Sequence, residues 1–412
     1  MSGPEFDTVA ARIDGYRDEA IALERTLTAI PALSPKNGGK GELAKCRALE
    51  AHLRGFGLTD LRRIDAPDAA AEEGVRPNLI ARIPGRSSER TVWVMSHLDI
   101  VPEGDRKRWD SPPFEIRVDG DKIFGRGVED NQQGIVASCL AARALIEAGV
   151  RPAYDVALLF VADEETGSEF GIRYLLQRDP QMFRPVDLVI VPDGGLPDGS
   201  MIEVAEKGIV WIKVTTQGKQ CHGSTPERGI NAHVAAAHTI VRLRSLYKKF
   251  GARDEVFDPP ISTFEPTKKE ANVPNVNTIP GEDVFYVDCR VLPQYDIGKV
   301  LRRVETIGRQ IDRKFGTTTT VETVQRENAA PPTPTDAPVV VSLRKAVERV
   351  YGVQAKPMGI GGGTVAAHIR RAGAPAAVWA RMDETMHGPN EYARIPNLLG
   401  DAKVLAHVML QA

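Results

Sequence analysis

The sequence has few cysteines, no apolar run of membrane-spanning length and no secretion signal. Its four cysteines, Cys46, Cys139, Cys221 and Cys289, are scattered and form no Cys-x-x-Cys pair, which argues against a zinc knuckle or a disulfide framework. Residues 1–17 lack the basic-then-apolar order of a signal peptide, and no stretch approaches the length of a membrane span. These absences predict a cytoplasmic protein with no membrane partner.

The sequence also lacks an excess of charge of either sign. Its 53 basic and 55 acidic residues give a formal net charge of -2, so no overall field favours nucleic acid or an anionic membrane surface. With 42% hydrophobic and 26% charged residues, the composition is that of a globular protein. A chain of 412 residues exceeds one ordinary core. We therefore expect at least two domains, a small substrate and no nucleic-acid partner.

The apolar runs that are present indicate an α/β fold. Runs at 91–95, 156–161 and 188–191 predict buried strands, and helical segments such as 132–148 lie between them. Alternating strands and helices are typical of a mostly parallel sheet that is covered by helices on both faces. A single amphipathic helix is predicted over residues 6–30, where apolar side chains recur at roughly helical spacing.

The pattern changes after Lys207. Ile209–Thr215 alternates apolar and polar residues, as expected of an antiparallel strand with one solvated face. Two further strands and two helices are predicted after it, over residues 284–291, 317–324, 232–247 and 297–314. This arrangement predicts an inserted α+β, ferredoxin-like domain of residues 208–325, which interrupts an α/β domain of residues 1–207 and 326–412.

Polar residues of the kind that bind metals follow the predicted strands. The five places are His97, Asp130, the pair Glu164–Glu165, Asp193 and His387. Each place alone is typical of a helix cap or a solvated turn. Because the carboxyl ends of parallel strands meet at one edge of a sheet, five such places together indicate a metal site there.

These residues offer more ligands than one metal needs. Two histidines and four carboxylates exceed one tetrahedral site but suit two divalent metals that share a bridging carboxylate. The side chains of neighbouring Glu164 and Glu165 diverge, so one can bind metal while the other acts on water. A two-metal site lowers the pKa of water and polarises a carbonyl oxygen, which are the two requirements of amide hydrolysis.

Together these motifs resemble the di-zinc amidohydrolases and exopeptidases that include aminoacylase, carboxypeptidase G, acetylornithine deacetylase and succinyl-diaminopimelate desuccinylase. The resemblance covers nearly the whole chain, with the motifs in the family's order and the insertion in the family's place. It implies a zinc-exopeptidase-like catalytic domain, an inserted lid and dimerisation domain, and two Zn²⁺ per subunit, with Co²⁺ or Mn²⁺ as alternatives.

The resemblance also assigns roles to residues. It implies one zinc held by His97 and Asp193, a second held by Glu165 and His387, and Asp130 as the bridge between them. Glu164 is then the general base, which takes a proton from water and passes it to the leaving nitrogen. Asp99 is expected behind His97, hydrogen-bonded to it. The family has a cis peptide bond after its bridging Asp, which predicts one at Asp130–Asn131.

The predicted insertion carries residues that resemble the family's substrate contacts. The segment from Cys221 to Pro226 resembles a His-Gly-Ser-x-Pro loop, whose histidine reaches the oxyanion of the partner protomer; this implies catalysis by His222 in a homodimer. A lone loop histidine is otherwise usually solvated. Asn277 and Arg290 match family positions that grip the substrate carbonyl and carboxylate, although Arg290 is nearly as well explained as a surface strand residue.

A glycine-rich segment precedes a predicted helix near the end of the chain. Backbone N–H groups of Gly362, Gly363 and Thr364 are candidates for receiving a substrate carboxylate. Phosphate is disfavoured because no Lys-Ser/Thr follows. The sequence departs from the family pattern in two places: the family often has Lys near the position of Gln133, and residues 365–368 do not match the Ser-Asp-Gly-Arg of the desuccinylase branch. The second departure puts the desuccinylase substrate in doubt.

The sequence therefore predicts a metal-dependent hydrolase of an amide bond next to a free carboxylate, acting on a small N-acyl amino acid. The alternative within enzymes is a dipeptidase or carboxypeptidase of the same family. The alternative outside enzymes is an inactive metal-binding relative, which is expected to have lost a ligand or Glu164. This sequence keeps all of them.

Overall fold

The computed structural model describes residues 3–412, which divide into two compact units. The first unit contains the residues up to Val204 together with Thr333–Pro357 and Thr364–Ala412. The second unit contains Ala205–Pro332 and Met358–Gly363. It extends a few residues beyond both ends of the predicted insertion and adds a short segment from later in the chain. Within residues 3–412, no helix has the length and apolarity needed to cross a membrane.

The helices belong mostly to the first unit, with α6–α8 in the second. In chain order they are α1 (Pro4–Asp14), α2 (Arg17–Thr28), α3 (Leu43–Gly55), α4 (Gln133–Ala148), α5 (Ile172–Arg178), α6 (Ala232–Leu243), α7 (Ser245–Lys249), α8 (Ile297–Phe315), α9 (Pro338–Tyr351), α10 (Ala366–Arg371) and α11 (Ile395–Leu410). Each of the long helices buries an apolar face, and α4 and α11 are buried over most of their length.

The strands form one large sheet and three smaller ones. In chain order they are β1 (Leu61–Pro67), β2 (Val75–Ile83), β3 (Ser87–His97), β4 (Arg117–Asp119), β5 (Lys122–Phe124), β6 (Tyr154–Val161), β7 (Leu188–Gly195), β8 (Met201–Glu206), β9 (Gly208–Gln217), β10 (Cys221–His222), β11 (Thr263–Lys269), β12 (Thr278–Ile279), β13 (Glu282–Val291), β14 (Thr318–Glu327), β15 (Lys356–Ile360), β16 (Ala376–Ala380) and β17 (Tyr392–Arg394). The large sheet has the order β1-β2-β6-β3-β7-β16-β8-β15.

The centre of the large sheet is parallel, as predicted. Strands β6, β3, β7 and β16 run parallel, whereas β1, β2 and β8 run antiparallel to their neighbours. Strand β3 is buried continuously from Val92 to His97, and α4 packs against both β3 and β7. Burial on both faces explains why these strands are apolar runs without alternation. The α/β prediction is therefore confirmed.

The helix predicted over residues 6–30 is instead two helices. Gly15 caps the end of α1 by donating its N–H to the carbonyl of Arg12, and Tyr16 has non-helical backbone angles before α2 begins. The Tyr16 hydroxyl donates to Glu147 at 2.7 Å, which draws this side chain toward α4. The prediction was wrong because the apolar residues on either side of Gly15 form two separate buried faces.

The second unit is an antiparallel sheet with helices packed on it. Its four strands have the order β11-β13-β9-β14, and α6 and α8 contact each other and the sheet. The core includes Phe264 on β11 and Phe285 on β13, packed with Val300 and Val304 of α8. Strand β11 was missed by sequence analysis, and the helix predicted over 232–247 is divided into α6 and α7. A separate pair, β10 and β12, joins two loops of this unit.

Candidate metal centre

The polar residues that follow the predicted strands come together at one edge of the large sheet. His97 is the last residue of β3, Asp193 lies in the last part of β7, and the pair Glu164–Glu165 follows β6. Asp130 precedes α4, and His387 follows β16. Because these four strands are parallel neighbours, their carboxyl ends share one edge of the sheet.

Asp130 stands between the two histidines. Its Oδ1 atom lies 2.9 Å from Nε2 of His97, and its Oδ2 atom lies 3.1 Å from Nε2 of His387. One carboxylate thus offers a separate oxygen to each histidine, as a ligand that bridges two cations must. The peptide bond between Asp130 and Asn131 is cis, as predicted.

A further carboxylate lies beside each histidine. Asp193 Oδ1 is 3.5 Å from Nε2 of His97, and Glu165 Oε1 is 3.3 Å from Nε2 of His387. Each half of the site therefore has one imidazole, one carboxylate of its own and one oxygen of Asp130. Three nitrogen and oxygen donors suit a divalent metal that keeps a position open for water or substrate. The residues present fit a two-metal centre.

Glu164 lies within the same cluster. Donor atoms of Glu164, His97 and Asp193 all lie within 4.8 Å of one another, as do those of His97, Asp130 and Glu165. Glu164 is therefore close enough to act on a molecule bound in the His97 half. The assignment of Glu164 as base and Glu165 as ligand stays a prediction.

The two halves of the site differ in exposure. The His97 side chain is 1% exposed, whereas the His387 side chain is 54% exposed. His97 and Asp193 lie on β3 and β7, which are hydrogen-bonded neighbours in the sheet. His387 lies on a loop. The His97 half is thus built into the sheet, and the His387 half is open.

The pKa values of these groups are shifted by burial and by each other. Burial opposes ionisation of Asp130, but hydrogen bonds from His387 and His97 hold its pKa well below the usual range. Hydrogen bonds to Asp130 and Glu165 raise the pKa of His387 to about 10. Burial raises the pKa of Glu164 well above its usual value, opposed by His97 and reinforced by Asp193. Such a concentration of acidic groups around two histidines is the charge pattern that a cation site requires.

Asp99 contacts His97 more closely through its backbone carbonyl than through its carboxylate. Nδ1 of His97 lies 3.0 Å from the backbone carbonyl oxygen of Asp99 and 3.4 Å from the carboxylate oxygen Oδ1. The carboxylate is the acceptor for the backbone N–H groups of Glu164 and Glu165, each at 3.0 Å. Asp99 thus orients the imidazole through its carbonyl and the glutamate pair through its side chain.

Sequence analysis missed the buried ion pair behind the glutamates. Arg76 donates from Nε to Glu42 at 2.6 Å, and both side chains are buried. Arg76 also lies 3.5 Å from Asp163, which precedes Glu164 and has a left-handed φ of 63°. This pair supports the turn that carries the two glutamates. The available signal was an arginine at the second position of the mostly apolar strand β2.

In the second unit, His222 and Asn277 lie on two loops that are joined to each other. Strand β10 pairs with β12, so that His222 is opposite Thr278, and the N–H of Gly223 donates to the Asn277 carbonyl at 2.6 Å. The side chains of His222 and Asn277 are both exposed. Nδ1 of His222 lies 2.8 Å from the Ser224 hydroxyl oxygen, which leaves Nε2 directed away from that contact. The catalytic role of His222 stays a prediction.

Arg290 is half-buried on β13, and its guanidinium is held within the second unit. Nε and Nη2 donate to the Asp288 carboxylate at 2.8 and 3.0 Å, and Nη1 donates to the Gly361 carbonyl at 2.8 Å. These contacts fix the plane of the guanidinium. They make Arg290 more than a solvated strand residue, but they do not test its predicted contact with substrate.

The glycine-rich segment Gly362–Thr364 is followed in the chain by a short helix. Gly362 and Gly363 belong to the second unit, and Thr364 begins the next segment of the first unit. The Thr364 hydroxyl lies 3.4 Å from Glu203. Helix α10 that follows has 6 residues. The carboxylate contact predicted for this segment therefore depends on its backbone N–H groups alone.

Comparison with known sequences agrees with this geometry. The sequence profile of peptidase family M20/M25/M40 matches residues 93–411. An uncharacterised metallohydrolase of Methanocaldococcus jannaschii is 40% identical over 95% of this chain and 99% of its own length. A succinyl-diaminopimelate desuccinylase of Cereibacter sphaeroides is 27% identical over 92% of this chain and 95% of its own length.

Solved structures share the fold. Aminopeptidase PepT from Bacillus cereus has a TM-score of 0.75 at 18% identity and covers 95% of this chain and 98% of its own. Human carnosine dipeptidase 1 has a TM-score of 0.72 at 16% identity and covers 98% of both chains. A dinuclear metal-binding peptidase from Bacillus subtilis has a TM-score of 0.67 at 15% identity and covers 96% of this chain and 98% of its own. From its family profile and its relatives, the chain belongs to peptidase family M20/M25/M40 and is a metal-dependent hydrolase.

Proposed function

We propose that this protein hydrolyses the amide bond of a small N-acyl amino acid, next to the free carboxylate. The observation that carries the proposal is Asp130, whose two oxygens face His97 and His387 separately, with Glu164 in the same cluster. The relative named succinyl-diaminopimelate desuccinylase supports an acyl amino acid as substrate. The free thiols of all four cysteines support a cytoplasmic location.

The ligand residues would hold two metal ions, for which we propose Zn²⁺, with Co²⁺ or Mn²⁺ as alternatives. His97 and Asp193 are the ligands of one ion, Glu165 and His387 those of the other, and Asp130 is shared. When bound, the ions activate water and polarise the substrate carbonyl. Imidazole and carboxylate donors suit these three metals better than Ca²⁺ or Mg²⁺.

Glu164 performs the proton transfers. Its carboxylate takes a proton from the attacking water as the water oxygen bonds to the carbonyl carbon. It then gives this proton to the amide nitrogen, so that the C–N bond breaks and a neutral amine leaves. Because Asp99 fixes the backbone N–H groups of Glu164 and Glu165, it is a positioning residue for this step.

The second unit supplies contacts to the substrate in this proposal. His222 donates to the oxyanion of the tetrahedral intermediate in the partner protomer of a homodimer. Asn277 binds the substrate carbonyl group. Arg290 binds its carboxylate, together with the backbone N–H groups of the segment Gly362–Thr364. The ion pair with Asp288 supports this role because it holds the guanidinium in one orientation.

A second candidate is hydrolysis of dipeptides or of a carboxyl-terminal residue. Hydrolysis of dipeptides is favoured by human carnosine dipeptidase 1, one of the solved structures with this fold. Hydrolysis of an N-acyl amino acid and hydrolysis of a dipeptide both break an amide bond next to a free carboxylate. The two substrates differ only in the group attached to the amide carbonyl. A third candidate, an inactive metal-binding protein, is disfavoured because Glu164 and all the ligands are present.

The test is a substrate screen with metal analysis. Purified protein is loaded with Zn²⁺, Co²⁺ or Mn²⁺ and assayed on N-acetyl amino acids, N-succinyl amino acids and dipeptides, with Glu164→Gln as the matched control. We expect release of free amino acid from N-acyl substrates by the wild type and not by the control. Release from dipeptides alone would establish the second candidate. Stoichiometric metal with no turnover of any substrate would establish the third.

A further inference from the structure

Glu129, the residue before Asp130, is a buried carboxylate that binds the loop of His387. It accepts the backbone N–H of Asp383 at 2.6 Å and the Thr385 hydroxyl at 2.7 Å, and it also accepts the backbone N–H of Thr385. Its side chain is thereby committed to three donors from one short stretch of another loop. Glu129 is 1% exposed, so these donors have replaced water around it.

Glu391 makes the reciprocal set of bonds. Its Oε1 atom accepts the backbone N–H groups of Glu129 and Asp130 at 3.0 and 3.2 Å. Its Oε2 atom accepts the N–H of Gly127 at 3.1 Å and the guanidinium of Arg126 at 2.6 Å. A carboxylate from each loop therefore binds the backbone of the other loop, on either side of the contact between Asp130 and His387.

The His387 loop has a backbone that needs such support. Glu384, His387 and Asn390 all have left-handed φ angles, of 59°, 62° and 60°, which are uncommon for residues other than glycine. The side chain of His387 is exposed, so packing does little to hold it. By contrast, His97 and Asp193 are fixed by two hydrogen-bonded strands.

We propose that Glu129 and Glu391 form a reciprocal carboxylate clasp that sets the separation of Asp130 and His387 and thereby controls metal affinity in the His387 half of the site. This inference rests on the proposed two-metal function. Both carboxylates accept hydrogen bonds only from backbone N–H, hydroxyl and guanidinium groups, so the two glutamates are positioning residues. The clasp acts on the half of the site that the sheet does not build.

The geometry of the clasp is tested by hydrogen–deuterium exchange on the metal-free protein. In Glu129→Gln, an amide N–H₂ group replaces one acceptor, so exchange within residues 383–385 should rise at least about tenfold. In Glu391→Gln, the faster hydrogen–deuterium exchange is expected within residues 127–130. The matched control is Asp187→Asn, because Asp187 is also a buried carboxylate that accepts backbone N–H groups, from Thr91 and Arg184. Unchanged exchange in both loops of both variants would overturn the clasp.

Its effect on the site is tested by titrating the same proteins with Zn²⁺ and Co²⁺. In Glu129→Gln, the Kd of the ion in the His387 half should rise about 10- to 100-fold. The Kd of the ion in the His97 half should stay within about twofold of the wild-type value. Equal weakening of both ions would show a general structural role and overturn the inference. Thr385→Val removes one of the three donors and should raise the Kd of the ion in the His387 half by a smaller factor. This variant replaces Glu129→Gln in the test if Glu129→Gln fails to fold.

The two proposals fail in different ways. If the wild type binds two ions and Glu129→Gln binds both with unchanged affinity, the clasp is overturned and the proposed function stands. If the wild type binds fewer than two ions, the two-metal function and the role of the clasp in it are both overturned. In that case the exchange experiment still decides whether the two loops are held together by these carboxylates.

Discussion

The Oδ1 atom of Asp99 accepts the backbone N–H of Glu164 at 3.0 Å. The bond joins the turn after β3 to the turn after β6, two parallel neighbours in the sheet. The other carboxylate oxygen does the same for Glu165. Asp99 therefore controls the positions of two glutamates whose own side chains it does not hold.

Asp99→Asn should lower kcat about 10- to 100-fold, because the amide can accept only one of the two N–H groups and presents its own N–H₂ to the other. The substitution keeps the carbonyl that contacts His97. Steady-state kinetics on the substrate found in the screen measure the effect, with the exposed Asp110→Asn as control. A kcat within twofold of the wild type would show that Asp99 does not position the glutamates.

Glu164→Ala and Glu164→Gln should keep both metal ions and lose most turnover, about 10²- to 10⁴-fold, because the proton acceptor is gone. Metal content by mass spectrometry and kcat are measured on the same samples. Full activity in either variant would make the proposed mechanism wrong. Loss of one ion would instead identify Glu164 as a ligand.

His387→Ala should reduce metal content from two ions to about one, because it removes the imidazole of the open half and leaves the His97 half intact. Equilibrium dialysis against Zn²⁺ followed by metal analysis gives the stoichiometry. His238→Ala, a histidine of the second unit, is the control. Retention of two ions with unchanged affinity would exclude His387 as a ligand.

His222→Ala should inactivate the enzyme, and mixing it with Glu164→Ala should restore part of the activity if the loop acts on the partner protomer. Each hybrid dimer then contains one site with both residues intact. The readout is kcat after subunits have exchanged, with exchange confirmed by native mass spectrometry of tagged chains. No recovery in confirmed hybrids would count against action in trans.

His407 should make stability fall on acidification. Burial and the nearby Arg349 lower the pKa of His407 to about 4, and Gln411 donates to its Nδ1 atom at 2.9 Å. Between pH 6.5 and 4 the unfolded chain binds a proton that the folded chain does not, so stability is complete above this window and is lost as the pH falls through it. The loss between pH 7 and 5 should be about 2 kcal/mol.

The loss is measured by chemical denaturation of the wild type and His407→Gln at several pH values. The variant should show a correspondingly smaller change between pH 7 and 5, whereas the control His238→Gln should follow the wild type. Identical pH dependence of the wild type and His407→Gln would refute the assignment.

The sheet and the clustering of the candidate ligands could be predicted because both depend on local patterns. The run Val92–Met95 is apolar on both faces, and His97 lies two residues after it, so strand, edge and candidate ligand are visible together in the sequence. The same holds for Asp193, which lies two residues after the apolar run 188–191. The break at Gly15 was not predicted because helical periodicity continues approximately through it.

The supporting contacts could not be predicted, because they join residues far apart in the chain. Nothing near Glu129 indicates that its partners are the N–H groups of Asp383 and Thr385. The cis bond at Asp130 was predicted only through the family resemblance. Likewise, Asp99 was expected to form a hydrogen bond to His97. Its backbone carbonyl contacts the imidazole, and its carboxylate accepts the N–H of Glu164, in the turn after β6.

The division of the first unit into three chain segments has a consequence for the order of events during synthesis. Strand β16 lies between β7 and β8, and helix α11 packs on α1, α4 and α9. Both β16 and α11 belong to the last segment. The second unit, mostly one continuous segment, leaves the ribosome before them. Its sheet can therefore form while the first unit still lacks a central strand, and His387 joins the other candidate ligands only after the second unit has been synthesised.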